Sequence, residues 1–162
     1  METNEIQTGV KYALSKLLSL DGYLLEKDAN ERSVTHRLGL YLQQAFPDWH
    51  VDCEYNRDGD VPKRLQANKQ RYRSAADGES HRDTEGKTVF PDVIVHRRGT
   101  QKNNLKNNLL VIEVKKTTST VSDEVDLEKL DAFIKELGYH HALFLKLGAG
   151  GDFGVPPELR WL

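Results

Sequence analysis

The sequence predicts an α/β fold, a mixed β-sheet flanked by helices, on three observations. Two early stretches repeat apolar residues every three or four positions, two later stretches are apolar on both faces, and a third amphipathic helix leads into a last strand. The resulting order is helix, helix, strand, strand, strand, helix, strand: an α-β-β-β-α-β core with an extra N-terminal helix. A chain of 162 residues, 38% of them hydrophobic, suits one domain spanning 1–162.

Ile6, Val10, Ala13, Leu17 and Leu20, with Leu14 and Leu18 beside them, predict the N-terminal helix over 6–20 despite Gly9. Val34, Leu38, Tyr41, Leu42 and Ala45 repeat the pattern and predict a second helix over 30–45, which Pro47 ends; the core runs on from there to 147. Trp49 to Tyr55, with β-favouring Val51 and Tyr55, reads as the first strand. Residues 56–87 are polar, without strand or helix periodicity for most of their length, and predict a long insertion. Val89–His96 and Leu109–Lys116 follow as central strands joined by a polar connector, in a register that sets Asp92 against Glu113 and His96 against Leu109. Asp123 is expected to cap a helix whose apolar stripe is Leu127, Leu130, Phe133, Ile134 and Leu137, and Gly138 to end it. Tyr139–Leu147 is the last strand, and residues 148–162 are expected to form a short C-terminal tail.

Composition narrows the function. Cys53 is the single cysteine, which excludes an internal disulfide framework and a cysteine-based metal centre and points to a reducing, cytoplasmic setting. Met1 to Thr8 carries two glutamates and no apolar core, so it does not read as a secretory signal. No apolar run approaches the roughly 20 residues that span a bilayer, so no membrane partner is expected. A formal net charge of -2 exerts no global pull on nucleic acid, and any such binding must use a local patch.

The chemistry gathers on the central strands. Leu109, Val111, Glu113 and Lys115 are expected to alternate onto one face, and Leu110, Ile112, Val114 and Lys116 onto the other. An acid and a lysine projecting from a central strand need a partner or a task, because buried charges are costly alone. With Asp92 facing Glu113, two carboxylates about 4 Å apart repel by roughly 4 kcal/mol at an effective dielectric of 20. A divalent cation removes that penalty. Hard oxygen ligands suit Mg²⁺, with Mn²⁺ as a substitute, and Mg²⁺ retains waters that leave room for a substrate phosphate.

Pro91-Asp92, twenty residues, then Glu113-Val114-Lys115 resembles the PD-(D/E)xK nuclease superfamily. The surrounding order of elements over 30–147 is similar to that family's restriction-endonuclease-like core. The resemblance implies a metal-dependent nuclease, a phosphodiester hydrolase, in which Asp92, Glu113 and the Val114 backbone carbonyl hold Mg²⁺ and Lys115 orients or helps deprotonate the attacking water. It further implies DNA as substrate, in a defence, restriction or repair context, with a homodimer or a partner protein of a defence system compatible with it. Two alternatives stand beside it: a non-catalytic subunit that grips nucleic acid or a partner with the same fold, and a nuclease acting on RNA or branched DNA.

Glu31 is a further catalytic and metal-binding candidate, since many members of the superfamily carry an acid on the helix before the first core strand. Its spacing from Val34, Thr35 and Leu38 sets it on the core-facing stripe. The competing reading is a capping box with Asp28. Glu54, Asn56 and Arg57 end the first strand and read first as surface. His36 and His96 lack metal-ligand spacing, Lys116 points away from Lys115, and Lys129 lies off the apolar stripe and reads as solvated. The densest basic stretch lies in the insertion. Lys63, Arg64, Lys69, Arg71 and Arg73, assisted by Arg97 and Arg98, are the expected nucleic-acid contacts.

Overall fold

Helical periodicity carries further than the sequence stripe suggests. α1 spans Thr3–Glu26 and bends at Asp21, whose backbone (φ -124, ψ 15) is not helical. Arg37 and the Tyr41 hydroxyl, both on α2 (Glu31–Ala45), donate to the Asp21 carboxylate at 2.8 and 2.5 Å and lock the bend onto the second helix. The computed structural model describes residues 1–55, 90–98 and 107–162, with the backbone of four two-residue strands between them.

Among the described residues nine strands are numbered in chain order: β1 (His50–Cys53), β2 (Arg57–Asp58), β3 (Val61–Pro62), β4 (Arg64–Leu65), β5 (Lys87–Thr88), β6 (Val93–His96), β7 (Asn108–Lys116), β8 (His141–Leu147) and β9 (Glu158–Trp161). Helix α3 (Asp123–Leu137) lies between β7 and β8. The main sheet runs β1-β6-β7-β8-β9. Only β7 and β8 are parallel; the other neighbours are antiparallel, so the sheet is mixed. Within the insertion β2 pairs with β3 and β4 with β5. The expected 148–162 tail instead contributes β9, which pairs with β8 and packs Leu159 and Trp161 against the core.

Two apolar layers sandwich the sheet. One face, with Val93, Val95, Leu110, Ile112, Val114, Leu143 and Leu145, packs on α1 and α2. The other, with Ile94, Val111 and Phe144, packs on Leu130 and Phe133 of α3. Val93 lies opposite Ile112 and Ile94 opposite Val111, so the expected register holds there, but a bulge sets His96 against Asn108 rather than Leu109. The extra residue breaks the alternation, so Leu109 joins Leu110 on the α1–α2 face instead of sharing that of Val111 and Glu113.

Two helix starts differ from expectation. Ser122, not Asp123, caps α3 by accepting from the Glu124 N–H at 3.3 Å. Asn30 caps α2 by accepting from Ser33 at 2.8 Å, which replaces the capping box of Asp28 and Glu31. Gly138 ends α3 in the left-handed conformation, φ 65, as the sequence predicts.

The seating of α2 on β1 depends on Gly39. A Cβ there would come within 2.8 Å of Cys53 Sγ, with Val51 Cγ1 next at 3.9 Å. Alanine improves helix propensity by about 1 kcal/mol, whereas overpacking costs about 1–3 kcal/mol. Gly39→Ala is therefore expected to lower the thermal midpoint in the native background and to raise it in a Cys53→Ala background. The same response in both backgrounds would contradict this packing.

Candidate active site

β6 begins at Val93 and β7 runs on to Lys116, so among the described residues no strand lies beside one edge of β7 beyond Ile112. Acid side chains occupy that edge. The Val114 N–H donates to Asp92 Oδ2 at 2.8 Å, and the Lys116 N–H donates to the Glu31 carboxylate. Because the N–H and C=O of one residue leave a strand on the same side, the Val114 carbonyl opens onto this gap too. The turn out of β1 closes it, with the Glu54 N–H donating to the Asp92 carbonyl at 3.2 Å. Asp28 and Glu54, both at φ 50, are the positive-φ residues other than glycine among those described; Glu54 adjoins Asp92, and Asp28 accepts from Lys116 Nζ at 2.7 Å. Such backbone is uncommon outside glycine and collects at functional sites.

Glu113 points into the pocket from the α3 face and its side chain is 3% exposed. Its Oε2 accepts from Lys129 Nζ at 2.7 Å, while its buried Oε1 has no hydrogen-bond partner among the described residues. Lys129 was expected in solvent; it is 17% exposed and also donates to the Phe90 carbonyl at 2.8 Å. Helical geometry explains the difference, since Asp126, Lys129 and Phe133 share a face of α3 and Lys129 Nζ lies 5.9 Å from the Phe133 ring centroid.

Lys115 shares the face of Glu113 but turns toward the start of α3. Its side chain, 4% exposed, donates to Asp126 Oδ2 at 2.6 Å and to the Ser122 carbonyl at 2.9 Å, with Asp123 Oδ1 3.7 Å away. Lys116, on the opposite face, holds Asp28 and the Ala29 carbonyl.

The electrostatics of this pocket are those of excess negative charge in a dry place. Burial pushes Glu113 well above the usual carboxylate range; the Lys129 charge opposes the shift and the Asp92 charge adds to it. Asp92 is raised by burial, with Lys129 and the Val114 N–H opposing and Asp126 and Glu54 adding. Glu31 is raised by burial and then by Asp92, against the Lys116 N–H. Burial disfavours the Lys129 ammonium, but Glu113 and Asp92 outweigh it and hold Lys129 above its ordinary value.

Asp92, Glu113, Lys115, Val114 and Glu31 thus gather at one end of the sheet. Arg97 and Arg98 lie past the other end of β6: Arg98 is held by a two-point contact with Asp52, and Arg97 lies 4.7 Å from the Trp49 ring centroid. His96 joins this second cluster, 2.7 Å from Asp52. Lys63, Lys69, Arg71 and Arg73 lie outside the described residues, and of Arg64 only the backbone strand is described. Lys129 and Asp126 were missed in sequence, although their helical spacing to Phe133 was the signal available.

Among the described residues no group of three or more His, Cys, Asp and Glu side chains is arranged to hold a metal ion, and no helix is long and apolar enough to cross a membrane. Compared with family models, curated proteins and solved structures, the chain finds no significant match in any of the three.

The raised acids set a sign for pH dependence. A carboxyl whose folded pKa is raised contributes stability that is present below its unfolded value, about 4, and lost as pH rises through the folded one. Asp21, Asp28, Asp52 and Asp123 are lowered, so their contribution is complete by about pH 5. His141 is lowered, chiefly by burial, and adds stability as pH rises toward its ordinary value of 6.5, opposite in sign to the raised acids. In EDTA Glu113→Gln is therefore expected to lose less thermal midpoint between pH 5 and 8 than the native protein does. The same pH dependence in the two proteins would contradict the buried-acid account.

Proposed function

We propose that the chain is a Mg²⁺-dependent nuclease with a restriction-endonuclease-like core, hydrolysing phosphodiester bonds in DNA. The observation that carries the reading is the pairing of half-buried Asp92 with buried Glu113 at the fork between β6 and β7, with Glu113 Oε1 lacking a partner among the described residues. A buried carboxylate oxygen with no donor is costly, and a hard divalent ion is the ligand it suits. The donor set fits. One or two carboxylates are the usual protein share for Mg²⁺, which takes its remaining ligands from water and phosphate oxygens. The Pro91-Asp92 and Glu113-Val114-Lys115 motif, on antiparallel neighbours followed by a helix and a parallel strand, supports the same reading.

In this reading Asp92, Glu113 and the Val114 carbonyl would hold the ion, and Glu31, at the N-terminus of α2, would assist directly or through a water. Mg²⁺ supplies charge that screens the phosphodiester and acidifies a bound water. Lys115, fixed by Asp126 and the Ser122 carbonyl, orients the attacking water. Those contacts also give Lys115 a share in seating α3, so Lys115→Ala costs stability as well as turnover. Sequestration of the acids from bulk water strengthens each of these interactions.

The test is incubation of purified protein with labelled single-stranded, double-stranded and branched DNA and RNA, with Mg²⁺ or EDTA. Cleavage of DNA is expected with Mg²⁺ and none with EDTA, and Asp92→Asn or Glu113→Gln is expected to lower the rate by about 100-fold or more. Binding without cleavage in every metal would leave the non-catalytic nucleic-acid module. Cleavage confined to RNA would move the substrate and keep the chemistry.

A further inference from the structure

The acid pocket already contains a cation, and it comes from α3. Lys129 Nζ lies 2.7 Å from Glu113 Oε2 and is the cation paired with Glu113 among the described residues. We propose that Lys129 is the resident counter-ion of the Asp92–Glu113 pocket, which a divalent ion must displace from Glu113, so that Lys129 sets the pocket's metal affinity. This rests on the metal-dependent reading above.

Four observations lead there. A buried acid such as Glu113 has to be neutralised when no metal is bound, and Lys129 does so at hydrogen-bonding distance. Mg²⁺ binds oxygen at about 2.0–2.1 Å, so a dication on Oε2 would stand against an ammonium on the same atom. Both cannot stay. Glu113 Oε1, buried and without a partner among the described residues, offers an incoming ion a first ligand while Lys129 still holds Oε2. The Lys129 side chain is itself 17% exposed and is bonded to the carbonyl of Phe90, a residue 51% exposed, so its ammonium already stands toward the surface. The flexible four-carbon stem can carry the ammonium outward while Leu130 and Phe133 keep α3 on the sheet.

The two lysines divide the work. Lys115 cannot serve as the counter-ion while Asp126 and the Ser122 carbonyl hold its ammonium. An ammonium displaced toward the mouth of the pocket would meet an arriving phosphate, which couples metal loading to substrate.

Calorimetric titration with Mg²⁺ and Mn²⁺ at neutral pH and low ionic strength tests the displacement. Lys129→Met is expected to bind either ion at least tenfold more tightly than the native protein, and Lys129→Arg, which keeps the charge, to stay within about threefold of it. Because Lys129→Met removes the partner of a buried acid and can fail to fold, the native protein provides a second readout. Amine labelling followed by mass spectrometry is expected to find Lys129 protected in EDTA and modified faster with Mg²⁺. Equal affinities in native and folded Lys129→Met protein, or Lys129 labelling that ignores bound Mg²⁺, would overturn the displacement and leave the metal site standing. Binding of neither ion to native protein or either variant would overturn the metal site itself, and the displacement with it.

Discussion

Much of the site follows from one mismatch in strand length: β7 outruns β6. A central strand cannot leave its N–H groups unpaired in the interior, since each orphan costs about 1–3 kcal/mol. β8 covers one edge of β7 to its end at Lys116, but β6 covers the other only as far as Ile112. Asp92 takes the N–H of Val114 and Glu31 that of Lys116. The acids are therefore structural before they are chemical, because they finish a sheet that the backbone leaves open.

That solution creates a second problem, which the rest of the pocket answers. Glu113 enters the same space from the opposite face of β7 to Val114, and burial leaves the added charge poorly screened by solvent. α3 supplies Lys129 to Glu113 and Asp126 to Lys115, so one helix turn neutralises both charged side chains that the strand turns to that face. The helix is held to the sheet by apolar packing of Leu130 and Phe133. A buried ion pair of this kind contributes little net stability by itself, since desolvation offsets the Coulomb gain. Its effect is on position. It fixes α3 against β7 and keeps a cation at the acid pair.

Periodicity made the mixed sheet and its helices legible, because burial of one helical stripe or of both strand faces leaves a pattern in the residues themselves. Asp92 and Glu113 could be placed together from strand register alone, and the pairing of Val93 with Ile112 is the one that register requires. Three features were not legible. The bulge at Leu109 depends on how the sheet bends, the strand at Glu158–Trp161 is too short to show alternation against noise, and the kink at Asp21 depends on partners from α2. Lys129 illustrates the general difficulty. An apolar stripe marks the centre of a helix's buried face, while a long side chain at its margin can reach inward to a charge that the sequence places elsewhere.

The central claim is that these acids form a divalent-cation pocket and are more than a buried ion network. Anomalous diffraction from crystals grown with Mn²⁺ tests it most directly. The account predicts one strong peak touching an Asp92 oxygen, a Glu113 oxygen and the Val114 carbonyl, with Lys129 drawn away from Glu113. An acid pair still bridged to Lys129, with no peak at millimolar Mn²⁺ or with the peak elsewhere on the surface, would contradict it.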